Sequence, residues 1–224
     1  MKKLLLIIII LALAILIATL MISKAQNKKT LPVLNPCNVN PILVDSAIQR
    51  KCTGHKIGNF SFINQDSNRV TQSYIENKIA IVDFFYVSCP SICPVMTSQI
   101  KRVHDYNFGP SNDDVVLLSH TVWPEMDSVS VLNEYANRYG AKSSRWSFLT
   151  GDKKELYTMA RKQYLVVPDI ADQNFNHGGE ADFIHTENVV LIDRKARIRG
   201  YYDGTSAKEI SQLIEDIKFL LYAN

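Results

Sequence analysis

The chain opens on a run of 19 residues, Leu4 to Ile22, that carries no charge and only Thr19 as a polar interruption. At about 1.5 Å per helical residue such a run spans roughly 28 Å, close to a bilayer's hydrocarbon core of about 30 Å. It exceeds the usual apolar stretch of a cleaved signal, about 7–15 residues. The run therefore predicts one membrane helix, with Lys2 and Lys3 holding the N-terminus on the cytoplasmic side. Ser23-Lys24-Ala25 offers the alternative of a cleavage site. Residues 26–55 have little periodicity and three prolines (Pro32, Pro36, Pro41), and read as a tether and lead-in.

From residue 56 the pattern turns regular. Asn59–Asn64 alternates and predicts a strand. Ile79–Val87 and Asp114–Val122 are near-continuous apolar runs rich in β-formers, and predict strands buried on both faces. Trp146–Leu149 predicts a shorter strand, and Asn188–Asp193 with Arg197–Tyr202 a hairpin. Helical spacing covers Ile92–Tyr106, Asp127–Tyr139, Asp152–Tyr164 and Ser206–Leu221. The order β-β-α-β-α-β-α-β-β-α predicts an α/β sandwich with a mixed central sheet over residues 56–224.

Composition narrows the class. The 224 residues are 46% hydrophobic and 21% charged, as in an ordinary globular protein, with a net charge of +3. Residues 1–30 hold five lysines and no acid, which leaves 20 basic against 22 acidic residues in the remainder. That balance excludes a nucleic-acid binder. A membrane signal exports the rest of the chain, so the cysteines are read for an oxidising compartment. Cys37 and Cys52, 15 positions apart, are either a staple for the lead-in or two unpaired thiols.

Chemistry concentrates in Asp83-Phe-Phe-Tyr-Val-Ser-Cys89-Pro-Ser-Ile-Cys93-Pro94. Two cysteines four apart lie where a buried strand passes into a helix, the end of an α/β sheet at which sites form. On a helical turn, residues four apart share a face, and the helix N-terminus favours thiolates. Such a pair can form a reversible disulfide or bind a soft metal ion. Asp83, the one charge inside its strand, is either a carboxyl lying behind the thiols or a structural hydrogen-bonding residue. His185 leads into the strand from Asn188 and is the candidate third ligand. Two thiolates and an imidazole suit Cu(I), and Cu(II) with an added oxygen ligand. His120 and His177 read as structural and surface residues, and His55 and His104 carry no signal.

At these residues the sequence resembles the Sco (SenC) family of membrane-anchored copper proteins. The likeness runs over residues 56–222 and rests on Asp83-Phe-Phe before Cys89-x-x-x-Cys93-Pro94, on Met96-Thr97, on Ile184-His185-Thr186, and on Gly200-Tyr-Tyr-Asp-Gly204. Ser119-His-Thr-Val-Trp-Pro-Glu-Met-Asp127 departs from the family's more usual S-V-D-P-x-x-D-T. The resemblance implies a thioredoxin-like, peroxiredoxin-related fold facing the periplasm or outside of a cell membrane crossed once. It implies one copper ion held by Cys89, Cys93 and His185. It further implies delivery of copper to, or reduction of the cysteines of, the binuclear copper site of cytochrome c oxidase. The alternative is an exported thiol–disulfide oxidoreductase using Cys89 and Cys93; a C-x3-C spacing and a histidine where such enzymes place a proline count against it. A peroxiredoxin-like peroxidase would need Thr where Tyr86 stands.

Overall fold

The computed structural model describes residues 9–17, 19, 30–167 and 186–222. Residues 9–17 and 19 are helical. The predicted membrane run, Leu4 to Ile22, lies partly outside the described residues; among those described, no helix is long and apolar enough to cross a membrane. The chain divides into two units, Met1–Leu31 and Pro32–Asn224.

The second unit is built on seven strands: β1 (Ser61–Asn64), β2 (Arg69–Thr71), β3 (Ile79–Phe85), β4 (Val115–Thr121), β5 (Trp146–Thr150), β6 (Asn188–Ile192) and β7 (Ile198–Asp203). They form one sheet in the order β2-β1-β5-β4-β3-β6-β7. The centre is parallel, with β3 against β4 and β4 against β5. The flanks are antiparallel, β6 against β3 on one side and β1 against β5 on the other. This is the mixed sheet the alternation predicts. Strand β2 is an addition: its three residues are too short to show a period. Its pairing with β1 is made by a turn in which Asn64 accepts hydrogen bonds from the Asp66 and Asn68 N–H groups.

Both central strands are buried along their whole length, because side chains of period two must meet a layer on each face. One layer holds α1 (Ile92–Asp105), α2 (Val129–Tyr139) and α4 (Ala207–Tyr222). Phe85 stacks there on Tyr135 of α2, whose hydroxyl meets that of Thr97 on α1 at 2.8 Å. The opposite face, with Ala80, Val82, Phe84 and Leu118, packs on Leu156, Tyr157 and Tyr164. The first two of these belong to α3 (Lys153–Thr158), shorter than the predicted helix because the chain widens into a π-turn over Met159–Gln163.

The proline-rich lead-in is held against this layer. Leu34 bridges Ile198 of β7, and the Ile57 N–H bonds the Ala196 carbonyl at 2.8 Å. His55 Nε2 meets the Gln163 carbonyl at 2.8 Å, and the Gly58 N–H donates to the Gln163 side chain. Cys37 and Cys52 form a disulfide, so the staple, of the two alternatives, is the one present.

Candidate metal and thiol site

Strand β3 ends at Phe85, and Tyr86 to Ser91 carry the chain to the first residue of α1, Ile92. Cys89 therefore lies in the connecting turn and not on the helix. Its N–H closes the turn on the Tyr86 carbonyl at 3.3 Å, while Cys93 is the second residue of α1. The thiols come together through this turn, not through a shared helical face as the spacing alone suggests. Both are free and buried, at 6% and 4% exposure, and each influences the other's proton affinity.

Their chemistry is unequal. Burial alone raises the Cys89 thiol, but backbone hydrogen bonds at Cys93 and Ser91, with the Cys93 thiol and the Ser91 hydroxyl, bring it down to about 7. The Ser91 hydroxyl stands 3.8 Å from its sulfur. Burial pushes Cys93 up to about 12, against a backbone hydrogen bond at Tyr86 and with the help of Cys89 and the Asp83 charge. One thiolate thus forms near neutrality, while the deeper sulfur keeps its proton until a cation or a disulfide replaces it. Tyr86, noted in the sequence only as standing where a peroxidase would need Thr, meets Trp123 edge to face at 5.9 Å, and the neighbouring Cys89 raises its phenol's pKa.

Asp83 lies within β3 on the face that meets the helices. It accepts a 2.5 Å hydrogen bond from Ser119, whose oxygen in turn accepts from Trp146 Nε1 at 2.9 Å. Burial outweighs that bond and pushes the carboxyl up to about 7. It is both hydrogen-bonded structure and a charge felt by Cys93, so the two readings of it are not exclusive.

His185 and His177 lie outside the described residues. The chain just beyond His185 is described: the Glu187 carbonyl accepts the Gly204 N–H at 2.7 Å. A Cβ on Gly204 would stand 3.0 Å from that carbonyl and 3.1 Å from Met96 Cε. Met96 is three residues after Cys93 on α1, so the approach to β6 and the first turns of α1 share one neighbourhood. His120 sits on the other face of the sheet, stacked on Phe84 at 5.2 Å. His55 is buried against Gln163, a role its sequence context did not show. Among the described residues no group of three or more His, Cys, Asp and Glu side chains is placed to hold a metal ion.

A mixed sheet with two cysteines beyond the end of a central parallel strand, beside a helix N-terminus, places the domain among thioredoxin-like folds. The SCO1/SenC family model matches residues 49–221, and the chain belongs to that family. The SCO1 protein homolog of Bacillus subtilis is 26% identical over 165 residues, covering 73% of this chain and 82% of that protein. Among solved structures, BsSco, a member of the Sco family of cytochrome c oxidase assembly proteins, superposes with a TM-score of 0.62. It is 24% identical and covers 76% of this chain and 95% of that one. ScoI of Arabidopsis thaliana with copper bound gives a TM-score of 0.58 at 24% identity, covering 75% of this chain and 99% of the other.

Proposed function

We propose that this chain is a copper-binding chaperone that delivers copper to, or reduces the cysteines of, the binuclear copper site of cytochrome c oxidase. The copper ion is its cargo, held by Cys89, Cys93 and His185. The observation that carries the reading is the pair of buried, free thiols where β3 passes into α1, Cys89 in the turn and Cys93 on the helix. Soft sulfur donors select Cu(I). A thiol near 7 supplies the first thiolate at neutral pH, and a Cu(I) ion arriving there displaces the proton of the second. A site of two thiolates and one imidazole leaves room for an incoming ligand, so the ion can be handed on by stepwise exchange. Copper in a related plant protein supports the cargo, and the assembly role of BsSco supports the client. In this reading Leu4–Ile22 anchors the chain in the membrane, and the domain faces the periplasm or cell exterior.

A second reading is favoured by the inequality of the thiols. A thiolate-forming Cys89 beside a protonated Cys93 is also the arrangement of an attacking and a resolving thiol in disulfide exchange. Anaerobic titration of the reduced full-length chain in detergent, against a competing Cu(I) chelator, separates the two. The expected result is one tightly held Cu(I) per chain, weakened about tenfold or more in His185→Ala, with Cys89–Cys93 still able to form a disulfide in that variant. No competitive binding by the wild type shifts the function to disulfide exchange. Unchanged binding by His185→Ala removes His185 from the ligand set.

A further inference from the structure

Asp127 ends the turn that follows β4 and is buried, at 1% exposure. Its place before α2 suggests a helix cap, but Ser128 fills that role, its hydroxyl accepting the Val131 N–H. The Asp127 carboxylate points the other way. Both of its oxygens lie within reach of the Val87 N–H, at 3.2 and 3.3 Å, and the Thr121 hydroxyl donates to it. The Thr121 oxygen in turn accepts the Trp123 N–H at 2.9 Å. Among the described residues no Lys, Arg or His pairs with it.

Val87 stands two residues before Cys89, in the turn that the Cys89 N–H closes on Tyr86. Upstream of it, the Phe85 carbonyl accepts the Val122 N–H at 2.8 Å. The turn is thus fastened to the β4 loop at two points, one a ladder-like backbone bond and the other the Asp127 carboxylate. Without Asp127 the Val87 N–H loses its partner, and of the two ties to the β4 loop only the Phe85–Val122 bond remains.

We propose that Asp127 is a positioning residue for the dithiol: by accepting the Val87 N–H it fixes the turn that holds the Cys89 sulfur beside Cys93. The copper consequence rests on the function proposed above; the dithiol consequence does not. A fixed pair of sulfurs has a high effective concentration, which favours both the intramolecular disulfide and simultaneous ligation of one ion.

The test uses the full-length chain in detergent and three variants. Asp127→Leu keeps the bulk and removes the acceptor, Asp127→Asn keeps an acceptor, and Thr121→Val removes the hydroxyl that orients the carboxylate. Two readouts are taken beside thermal unfolding: the Cys89–Cys93 equilibrium with glutathione at pH 6, and Cu(I) affinity by chelator competition. Asp127→Leu is expected to disfavour the disulfide about tenfold, a potential about 30 mV more positive for this two-electron couple, and to weaken Cu(I) about tenfold. Asp127→Asn is expected to recover most of both losses, and Thr121→Val to lose about threefold. A folded Asp127→Leu with a wild-type dithiol equilibrium overturns the proposal, as does Asp127→Asn impaired as far as Asp127→Leu. Should Asp127→Leu fail to fold, a wild-type equilibrium in Thr121→Val overturns it instead. If the wild type holds no Cu(I), the copper function falls, and the glutathione equilibrium still decides the role of Asp127.

Discussion

Changing Asp83 to Asn removes a carboxyl whose proton the fold retains up to about pH 7. The side chain is 2% exposed, with Ser119 its hydrogen-bond donor, and burial lifts its pKa from the ordinary 3.8 to about 7. Over the range between those values the folded protein holds a proton that the unfolded chain has lost. The folded state then binds more protons, so this group's contribution to stability falls as pH rises from about 4 to about 7 and levels off above. At about 1.4 kcal/mol per pH unit, the whole interval amounts to about 4 kcal/mol. Asn keeps an oxygen for Ser119 and carries no charge at any pH. Urea unfolding of the reduced, copper-free protein and of Asp83→Asn at pH 4 and pH 8 isolates the effect, because all other titrations are common to both. The variant should gain about 3–4 kcal/mol on the wild type between the two pH values. A stability difference that stays flat to within about 1 kcal/mol would falsify the account of Asp83 as a buried neutral acid.

Further outcomes follow from groups away from the thiols. The double change Cys37→Ser and Cys52→Ser opens a staple that closes 15 residues. It should cost about 3 kcal/mol of stability with Cu(I) affinity unchanged; equal melting temperatures for the two proteins would contradict it. Burial holds His120 down to about 3, and its Nδ1 has no partner. The unfolded chain takes up that proton below about 6.5 while the folded one refuses it, so stability is lost as pH falls below 6.5. His120→Phe should therefore lose about 3 kcal/mol less than the wild type between pH 7 and pH 4, measured by urea midpoints. Parallel pH profiles would sink the argument. His185→Ala, measured by Cu(I) competition, tests the third ligand directly.

The elements of the domain were legible because their signals are local. Alternation or continuous apolarity marked β1, β3, β4, β5 and the β6–β7 hairpin, and the i, i+3, i+4 spacing marked the four helices. The cysteines, the strand-to-helix junction that carries them and the single charge of Asp83 were all readable from residues within a dozen positions of one another. So was the family, since its motifs are short and linear.

What the sequence could not decide depends on atoms brought together from far apart in the chain. Strand β2 exists only because β1 offers it an edge. A helix from Ile92 already left Cys89 in the connecting turn, but the burial of both sulfurs there is a tertiary result. The unequal thiols arise from burial and from N–H groups whose aim is a tertiary property. Asp127 reads as the start of a helix until the fold sets it under Val87, 40 positions earlier. His120 reads as an ordinary strand residue until Phe62, Phe84 and Tyr164 enclose it. Periodicity and motif are written along the chain, so the sequence by itself determined the elements, the family and the candidate cysteine pair. Burial, hydrogen-bond partners and proton affinity depend on which distant residues share a volume, and only the tertiary structure decides that.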